Sequence, residues 1–345
     1  MVVGLKPDLR TTRSYNLAIV ITPSLPLYAA PLLAFATALA ALWWLVKGNA
    51  PKILDHPNAR SLHSQAVSRT GGLGLMAGVL VSWILMSEMQ PFSLWAGVMM
   101  LVSISLADDV ASLPVWSRFL VHGIAAAWFA ITLLSGEYSL TIILLATLAI
   151  VWMTNLYNFM DGSDGLAGGM TFFGFGFYGV AAWLAGDVPF AVINFCVAAA
   201  ALAFLLFNFH PAKVFMGDAG SIPLGFLAAG LGLIGWQRGL WLLWLPLWVF
   251  SPFIADASAT LAKRAFRREK IWQAHKEHYY QRLVQSGFGH RNTALLAYVL
   301  MLASGGSAVW AASQSGATQF VVGSVWCLIY VLLFWWFDRH NKRVL

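Results

Sequence analysis

The sequence predicts an all-α, polytopic integral membrane protein of about eleven transmembrane helices, and three observations support this fold class. Of the 345 residues, 59% are hydrophobic and only 10% are charged. The mean hydropathy of +0.72 is typical of a protein whose solvent is a lipid bilayer. Long apolar runs recur along the chain without the alternation of a β-strand. Because a chain in lipid must satisfy every backbone amide internally, we expect these runs to be helices.

Apolar runs of sufficient length define the predicted spans. In chain order they cover 25–46, 71–87, 92–107, 115–135, 139–157, 166–184, 188–207, 220–236, 239–258, 293–312 and 317–337. No linker or repeat divides the chain, so residues 1–345 are predicted to form a single membrane-embedded domain, with a tail over 1–24 and a long loop over 259–292. The first run continues into Trp43 and Trp44 without a cleavage site, which favours a retained helix over a signal peptide.

The basic residues predict the orientation of the chain. Most Lys and Arg residues outside the spans lie in loops on one side, which the positive-inside rule identifies as the cytoplasmic side. Arg238 and the three basic residues of the N-terminal tail are the exceptions. Both long loops, 47–70 and 259–292, lie on the basic side, so we expect an active site facing the cytoplasm. The net charge of +7 follows from the same bias and gives no reason to expect nucleic acid as a partner.

An adjacent pair of carboxylates, Asp108 and Asp109, ends the third predicted span in SLADDVASLPVWSRF. A helix C-terminus carries partial negative charge, so this pair requires a cation or a proton nearby. Such a site can raise the pKa of one carboxyl group and make it a general base, so both residues are catalytic candidates. The alternative is that both residues only end the helix and face water.

Oxygen-bearing side chains recur every third residue in NLYNFMDGSDGLAGG, at the inner end of the fifth predicted span. They are Asn155, Asn158, Asp161 and Asp164. Residues three apart share a helical face, so the first three can form one stripe. Four glycines among and after them allow a phosphate to approach the backbone. A polar turn with a helix cap would explain one or two of these side chains, but not four at fixed intervals.

Asp218 precedes the eighth predicted span in VFMGDAGS. It can serve as an N-cap that accepts hydrogen bonds from the first backbone amides of the helix. The same position suits an oxygen ligand for Mg²⁺, which takes one or two protein oxygens together with substrate phosphates, beside a helix N-terminus that attracts anions. Asp256, near the inner end of the ninth span, either joins this group or pairs with Lys263 or Arg264.

Two further clusters lie in the long loops. His275 and His278 are three residues apart in RREKIWQAHKEHYYQRL, among basic residues that can bind a diphosphate through charge and hydrogen bonds. A zinc site is the less favoured interpretation because a third ligand at suitable spacing is missing. In loop 47–70, Arg60 and His63 can steer an anionic substrate or contact lipid headgroups.

Five aspartates map to the predicted cytoplasmic ends of the spans: Asp108, Asp109, Asp161, Asp164 and Asp218. Clustered carboxylates must be neutralised, and a divalent cation bound with a pyrophosphate would do so. An ion-coupled transporter is the alternative from another functional class. Its acidic groups would be distributed through the depth of several helices, whereas these gather at one end, which favours an enzyme.

These motifs resemble those of the bacterial polyprenyl-phosphate N-acetylhexosamine-1-phosphate transferases. HPNARSLHS, LADD, NLYNFMDGSDGLAGG, VFMGDAGS and the late basic histidine motif follow the order of that family. The resemblance implies about eleven spans in the bacterial inner membrane and a Mg²⁺ cofactor, with Mn²⁺ as an alternative. It also implies transfer of a sugar-1-phosphate from UDP-N-acetylhexosamine to undecaprenyl phosphate with release of UMP, which initiates O-antigen or other surface-polysaccharide synthesis.

Carried over to matching positions, the resemblance implies that Asn158 and Asp218 hold the metal ion and that Asp108 or Asp109 activates the lipid phosphate. The predicted substrate-binding residues all carry polar side chains on the predicted cytoplasmic side: Asn155, Asp161, Asp164, Asn208, His275, His278, Arg60 and His63. Whether an aspartate acts as a base or as a covalent nucleophile stays open. The oligomeric state is open as well, with a homodimer among the options.

The chain departs from the phospho-MurNAc-pentapeptide branch of the family. That branch carries a run of adjacent histidines where HKEHYYQRL stands here. The motif is closer to the surface-polysaccharide branch, so GlcNAc, FucNAc or QuiNAc is expected as the sugar, with MurNAc-pentapeptide as the alternative. A CDP-alcohol phosphotransferase is a further alternative, but the DG…AR…G…D arrangement expected of that group is not found.

Overall fold

The helices follow the apolar runs of the sequence. A computed structural model describes residues 25–48, 53–55, 62, 66–86, 89–111, 113–270, 273 and 275–340. The α-helices of this part are α1 Leu25–Lys47, α2 Gly71–Ile84, α3 Phe92–Ala111, α4 Val115–Leu134, α5 Leu140–Phe159, α6 Leu166–Leu184, α7 Val188–Asn208, α8 Asp218–Gln237, α9 Trp244–Val249, α10 Ser251–Phe266, α11 Tyr279–Leu283, α12 Gly289–Ala312 and α13 Gly316–His340. Two short antiparallel strands, β1 Leu54–Asp55 and β2 Val67–Ser68, precede α2. A π-helical turn over Val284–Phe288 joins α11 to α12.

Nine helical stretches of the described part are long and apolar enough to cross a membrane, so the chain is an all-α, polytopic membrane protein. The predicted spans over 71–87 and 239–258 take other forms. Helix α2 has only 14 residues. The second segment is divided at Phe250 into α9 and α10, because Pro252 lies in the first turn of α10 and proline cannot donate the backbone hydrogen bond that would continue the helix.

The predicted loop over 259–292 is partly helical. Helix α10 continues to Phe266, and helical structure resumes at Tyr279. His275 and His278 therefore lie in the connection between α10 and α11, and the end of the histidine motif forms α11.

Helix α8 lies at the centre of the bundle. Of its apolar stretch, 89% is buried, compared with 22% for α13. It packs against α3 and α5, and also contacts α2 and α6. A Cβ atom on Gly72 would lie under 3.0 Å from Gly220, so only glycine permits this approach of α2 to α8. This packing brings Asp218, the first residue of α8, close to the ends of α3 and α5.

The outer surface of the bundle is apolar. Leu148 on α5 is 65% exposed and Phe320 on α13 is 77% exposed, as are many similar side chains on the peripheral helices. Such a surface is suited to contact with lipid tails, whereas exposed apolar patches of this extent are rare on soluble monomers.

Candidate active site

Backbone hydrogen bonds join the segment before α2, and the first residues of α2, to the link between α7 and α8. Phe215 N donates to Ser68 O at 2.8 Å, Gly71 N donates to Phe215 O at 2.9 Å, and Gly72 N donates to Met216 O at 2.8 Å. These bonds hold the link that leads into Asp218 against the segment that carries Arg69. The candidate site is built around this junction.

Arg118, in the first turn of α4, joins two carboxylates from different helices. Its Nη1 donates to Asp108 Oδ2 at 2.7 Å and to Asp218 Oδ2 at 3.3 Å. The other oxygen of Asp108 accepts from Leu113 N at 2.8 Å. The structure therefore brings the predicted catalytic residue Asp108 and the predicted metal ligand Asp218 within hydrogen-bonding distance of one guanidinium nitrogen.

Asp109 has a different partner from its neighbour Asp108. Its Oδ1 lies 3.0 Å from Arg69 Nη2, and its side chain is only 4% exposed. The adjacent carboxylates at the end of α3 are thus neutralised by two separate arginines, as expected for like charges beside a helix C-terminus.

Asp161 follows α5 and lies near Asp218. Burial raises the pKa of Asp161 well above its usual range, and the charges of Asp218 and Asp55 raise it further, whereas a hydrogen bond from the backbone of Gly217 opposes the shift. The Asn158 side chain, in the last turn of α5, hydrogen-bonds Asp218. These side chains form one group with more negative charge than it can hold without a cation or a proton.

Asp164 lies in a separate cluster with two histidines that sequence analysis missed. Its Oδ2 lies 2.6 Å from His210 Nδ1 and accepts from Ala212 N at 3.1 Å. His290 Nδ1 lies 3.9 Å from Asp164 Oδ1 and 2.9 Å from Ser163 Oγ. The two imidazole rings stack with centroids 5.7 Å apart. The position of His210 shortly before the VFMGD motif could have indicated a role at the site, whereas no sequence feature indicates one for His290.

Asn155 and Asn208 each hydrogen-bond to backbone atoms. The Asn155 amide donates to a carbonyl of its own helix at 2.7 Å, and the residue lies beside His122. Asn208 Oδ1 accepts from Gly165 N at 3.0 Å, and its Nδ2 donates to Val214 O at 2.9 Å. Asn208 thus uses both ends of its amide to hold the α5–α6 link against the α7–α8 link.

The histidine motif packs against the end of α5. His278 is buried, and its ring stacks on Phe159 with centroids 6.2 Å apart. Tyr280 Oη donates to Phe159 O at 3.0 Å. The His275 and His278 rings lie 4.8 Å apart. Burial, followed by the charges of His278 and Arg264, lowers the pKa of His275 to about 4, so His275 is neutral near physiological pH.

Asp256 neither joins the aspartate group nor pairs with Lys263 or Arg264 in the described structure. Its two oxygens accept from the backbone N atoms of Tyr279 and Tyr280, at 2.8 and 2.9 Å. The carboxylate therefore caps the start of α11 and fixes the chain directly after His278.

Two predicted substrate-binding residues, Arg60 and His63, lie outside the described residues. The sequence predicts no role for Arg118 beyond the charge bias. The sequence nevertheless indicates a special position for Arg118. It is the only Lys or Arg between Thr70 and Ala212, a stretch that contains four of the five clustered aspartates.

Comparison with known proteins points to one family. Residues 91–235 match glycosyl transferase family 4. The chain is 32% identical over 276 residues to the probable undecaprenyl-phosphate N-acetylglucosaminyl 1-phosphate transferase of Bacillus subtilis, covering 74% of this chain and 77% of that protein. It is 27% identical to the undecaprenyl-phosphate alpha-N-acetylglucosaminyl 1-phosphate transferase of Escherichia coli, covering 84% of each. The phospho-N-acetylmuramoyl-pentapeptide-transferase of Levilactobacillus brevis is 37% identical over 39% of each chain.

Proposed function

The chain belongs to the polyprenyl-phosphate N-acetylhexosamine-1-phosphate transferases of glycosyl transferase family 4, and from this premise we propose that it transfers an N-acetylhexosamine-1-phosphate from a UDP-sugar to undecaprenyl phosphate. UMP is the second product. The relatives that align over most of their length are named for N-acetylglucosaminyl 1-phosphate transfer, so UDP-GlcNAc is the first donor to test. The pentapeptide-transferase relative aligns over only 39% of its chain, which favours a simple N-acetylhexosamine over MurNAc-pentapeptide.

One observation supports this reaction above all others. Carboxylates from α3 and α8 pair with Arg118, and Asp161 of the α5–α6 link lies close enough to Asp218 for their charges to interact, all at a single end of the bundle. Phosphoryl transfer depends mainly on positioning and on neutralising the charge of the transferred group. The N-terminus of α8 adds backbone N–H groups that favour a bound phosphate. A water-soluble donor can reach this end while the isoprenoid tail of the acceptor stays in lipid.

The residues at this end fit a magnesium ion. We assign Asn158 and Asp218 as its ligands, because their side chains hydrogen-bond each other and Asp161 adds negative charge beside them. No three His, Cys, Asp or Glu side chains form a closed metal cage within the described ranges. Mg²⁺ does not require one, since it is usually bound by one or two protein oxygens with substrate phosphates and water. Mn²⁺ shares this preference for oxygen ligands. When bound, the ion would help neutralise the donor diphosphate.

The acidic pair activates the acceptor in this proposal. A phosphate oxygen of undecaprenyl phosphate attacks the sugar-bearing phosphorus of the donor, the bond from that phosphorus to the bridging oxygen breaks, and UMP leaves with the electron pair. A proton on the acceptor phosphate passes to a carboxylate. We assign this base to Asp108, because its side chain is 16% exposed and that of Asp109 is 4% exposed. Asp109 then orients Arg69 beside the site.

The remaining residues are assigned from their positions. Asp161, Asp164, His275 and His278 are proposed to contact the nucleotide or its diphosphate, together with Arg60 and His63. Asn155 is proposed to contact the substrate as well, and Asn208 is proposed to support the substrate site through its two backbone bonds. The positive-inside bias supports the proposal that this end faces the cytoplasm at a bacterial inner membrane, and we propose that residues 1–345 act as one domain. A homodimer stays a prediction that the mass of the purified protein in detergent would test.

The experiment is release of UMP by the purified protein with undecaprenyl phosphate and a panel of UDP-N-acetylhexosamines, with Mg²⁺ or with EDTA. We expect metal-dependent release with one donor, UDP-GlcNAc first. Asp108→Asn and Asp218→Asn should lower the rate by at least about 100-fold while the protein still inserts and folds. Asp187→Asn is the matched control, because Asp187 pairs with Arg238 at the far end of α8. No release with any donor from folded protein would refute the proposal.

A further inference from the structure

Asp338 lies near the C-terminus of α13, outside the residues 91–235 that match the family, and it contacts the histidine motif. Its Oδ1 accepts from Arg282 Nη1 at 2.6 Å, and its Oδ2 accepts from Tyr279 Oη at 2.9 Å. Lys263 Nζ donates to the same Oδ2. A single carboxylate of the last helix therefore holds α10 and α11 together.

Arg282 depends on this carboxylate. Its side chain is 5% exposed and lies against the rings of Tyr279 and Phe337, at 5.3 and 4.9 Å from their centroids. Its Nε and Nη2 make no hydrogen bond, and Asp338 is the only carboxylate within ion-pair distance of Arg282 among the residues described. A buried charge that loses its counter-ion is strongly destabilised. Removal of the Asp338 charge should therefore displace α11.

Helix α11 connects this ion pair to the aspartate site. Asp256 accepts from the backbone N atoms of Tyr279 and Tyr280, so the first turn of α11 is held from α10 as well. Tyr280 Oη then donates to Phe159 O at 3.0 Å. Phe159 is next in the chain to Asn158, which the proposed function makes a metal ligand. A displacement of Tyr279 is thus a displacement of the histidine motif relative to the end of α5.

We infer that Asp338 is a positioning residue for the transfer reaction, acting through Tyr279 and Arg282 to place His275 and His278 at the donor diphosphate. Asp338 itself does not contact the substrate. The inference rests on the proposed function, because it presumes that the histidine motif binds the donor. Its place in the fold supports it: α13 contributes no other carboxylate, and Asp338 is the one acidic side chain in an otherwise basic C-terminal turn.

The test compares Asp338→Asn with Arg339→Gln in the full-length purified protein. Arg339 is the next residue of α13, is exposed, and lies over the ring of Trp335, so its replacement controls for a changed charge at this end of the helix. For Asp338→Asn we expect KM for UDP-GlcNAc to rise about tenfold, as when a residue that orients a binding group is removed. The kcat should stay within about twofold of the wild-type value. Hydrogen–deuterium exchange over 278–288 should increase in Asp338→Asn and stay unchanged in Arg339→Gln.

A second variant covers the case in which Asp338→Asn does not fold. Tyr279→Phe removes only the hydroxyl group, which donates to Asp338 and accepts from Lys263, and it should raise KM in the same direction. In the double variant the two effects should be less than additive in free energy, because both act through one contact.

A folded Asp338→Asn protein with unchanged KM, or with a lower kcat at unchanged KM, would overturn the inference. If Asp338→Asn does not fold, unchanged KM in Tyr279→Phe would overturn it. Failure of the wild-type protein to release UMP would refute the proposed function instead. Hydrogen–deuterium exchange distinguishes failure of the inference from failure of the proposed function. It does not require turnover, and it reports whether Asp338 orders the histidine motif.

Discussion

Arg118 and Asp218 are 100 residues apart in the chain, yet Arg118 Nη1 lies 3.3 Å from Asp218 Oδ2. The same nitrogen lies 2.7 Å from Asp108 Oδ2. The guanidinium group carries one positive charge, so it offsets only part of the charge of the two carboxylates. In the proposed reaction Arg118 is also the cation next to both the base and a metal ligand, which places it to bind phosphate as substrates arrive.

Arg118→Gln should therefore remove a charge that the reaction needs. We expect kcat/KM for UMP release to fall about 100-fold, a size typical for loss of one group that stabilises developing charge. Arg118→Lys should retain more activity because it keeps the charge. It should still be impaired, since one ammonium group does not reproduce the planar, multi-donor guanidinium.

Arg238→Gln is the matched control for Arg118→Gln. Arg238 Nη1 lies 3.0 Å from Asp187 Oδ2 at the opposite end of α8, so the variant removes a similar ion pair far from the candidate site. Its activity should stay within about twofold of wild type, as expected for a partly exposed pair. Equal losses in both variants would indicate a general folding defect, and wild-type activity in Arg118→Gln would contradict the assigned role.

Asn158→Ala should weaken metal binding directly. Mn²⁺ can replace Mg²⁺ at oxygen ligands and is detected by electron paramagnetic resonance, so its affinity can be measured without turnover. We expect about a tenfold loss of Mn²⁺ affinity in Asn158→Ala. Asn194→Ala is the control, because Asn194 is a buried asparagine of α7 that donates to Phe190 O within its own helix. Equal Mn²⁺ affinity in the wild-type protein, Asn158→Ala and Asn194→Ala would show that Asn158 is not a metal ligand.

The common location of the clustered aspartates could be predicted from sequence, because the membrane imposes it. Spans of roughly 20 residues must alternate in direction, so a carboxylate that ends one span and one that begins another are placed on a defined side. The position of the break in the ninth predicted span is harder to predict from the sequence. The apolar run continues through Phe250, and Pro252 alone signals the boundary between α9 and α10.

The pairing of side chains could not be predicted, because it depends on which helices are neighbours. Arg118 lies between Asp108 and Asp218 only because α8 packs beside α3 and α4. His290 reaches Asp164 from the start of α12, and no periodicity in the sequence connects these two residues. The pattern of apolar runs predicts how deep a residue lies in the membrane, but it does not predict which residues of other helices lie beside it.

Gly217→Ala should distort the start of α8. Gly217 has φ +69°, a conformation that L side chains rarely adopt, and a Cβ atom there would lie under 3.0 Å from Arg69 O. Its ψ of 174° places it in a region that is essentially restricted to glycine, so we expect a loss of about 1–3 kcal/mol in stability from the backbone strain alone, with a further loss from the contact. UMP release should fall because Asp218 and Arg69 both shift.

Gly239→Ala separates the two causes. Gly239 has φ +75°, but a Cβ atom there meets nothing within 4 Å. The variant should show the strain without the contact, so its thermal unfolding temperature should fall less and its activity should be retained. Similar behaviour of the two variants would contradict the steric argument for Gly217.

His275 should make the stability of the folded protein depend on pH. Burial, followed by the charges of His278 and Arg264, lowers the pKa of His275 from 6.5 to about 4. Between these values the unfolded chain binds a proton that the folded chain does not bind. The contribution of His275 to stability is therefore fully present above 6.5 and is lost as pH falls toward 4.

His275→Asn should thus lose less thermal stability than the wild-type protein when pH is lowered from about 7 to about 5, the range in which an unperturbed histidine titrates. Thermal unfolding of both proteins in detergent measures the difference. His340→Asn is the control, because His340 is exposed at the end of α13 and its replacement should leave the pH dependence of the wild type unchanged. Parallel stability curves for His275→Asn and wild type would show that His275 has the same pKa in the folded and the unfolded chain, which would contradict the lowering of its pKa by burial.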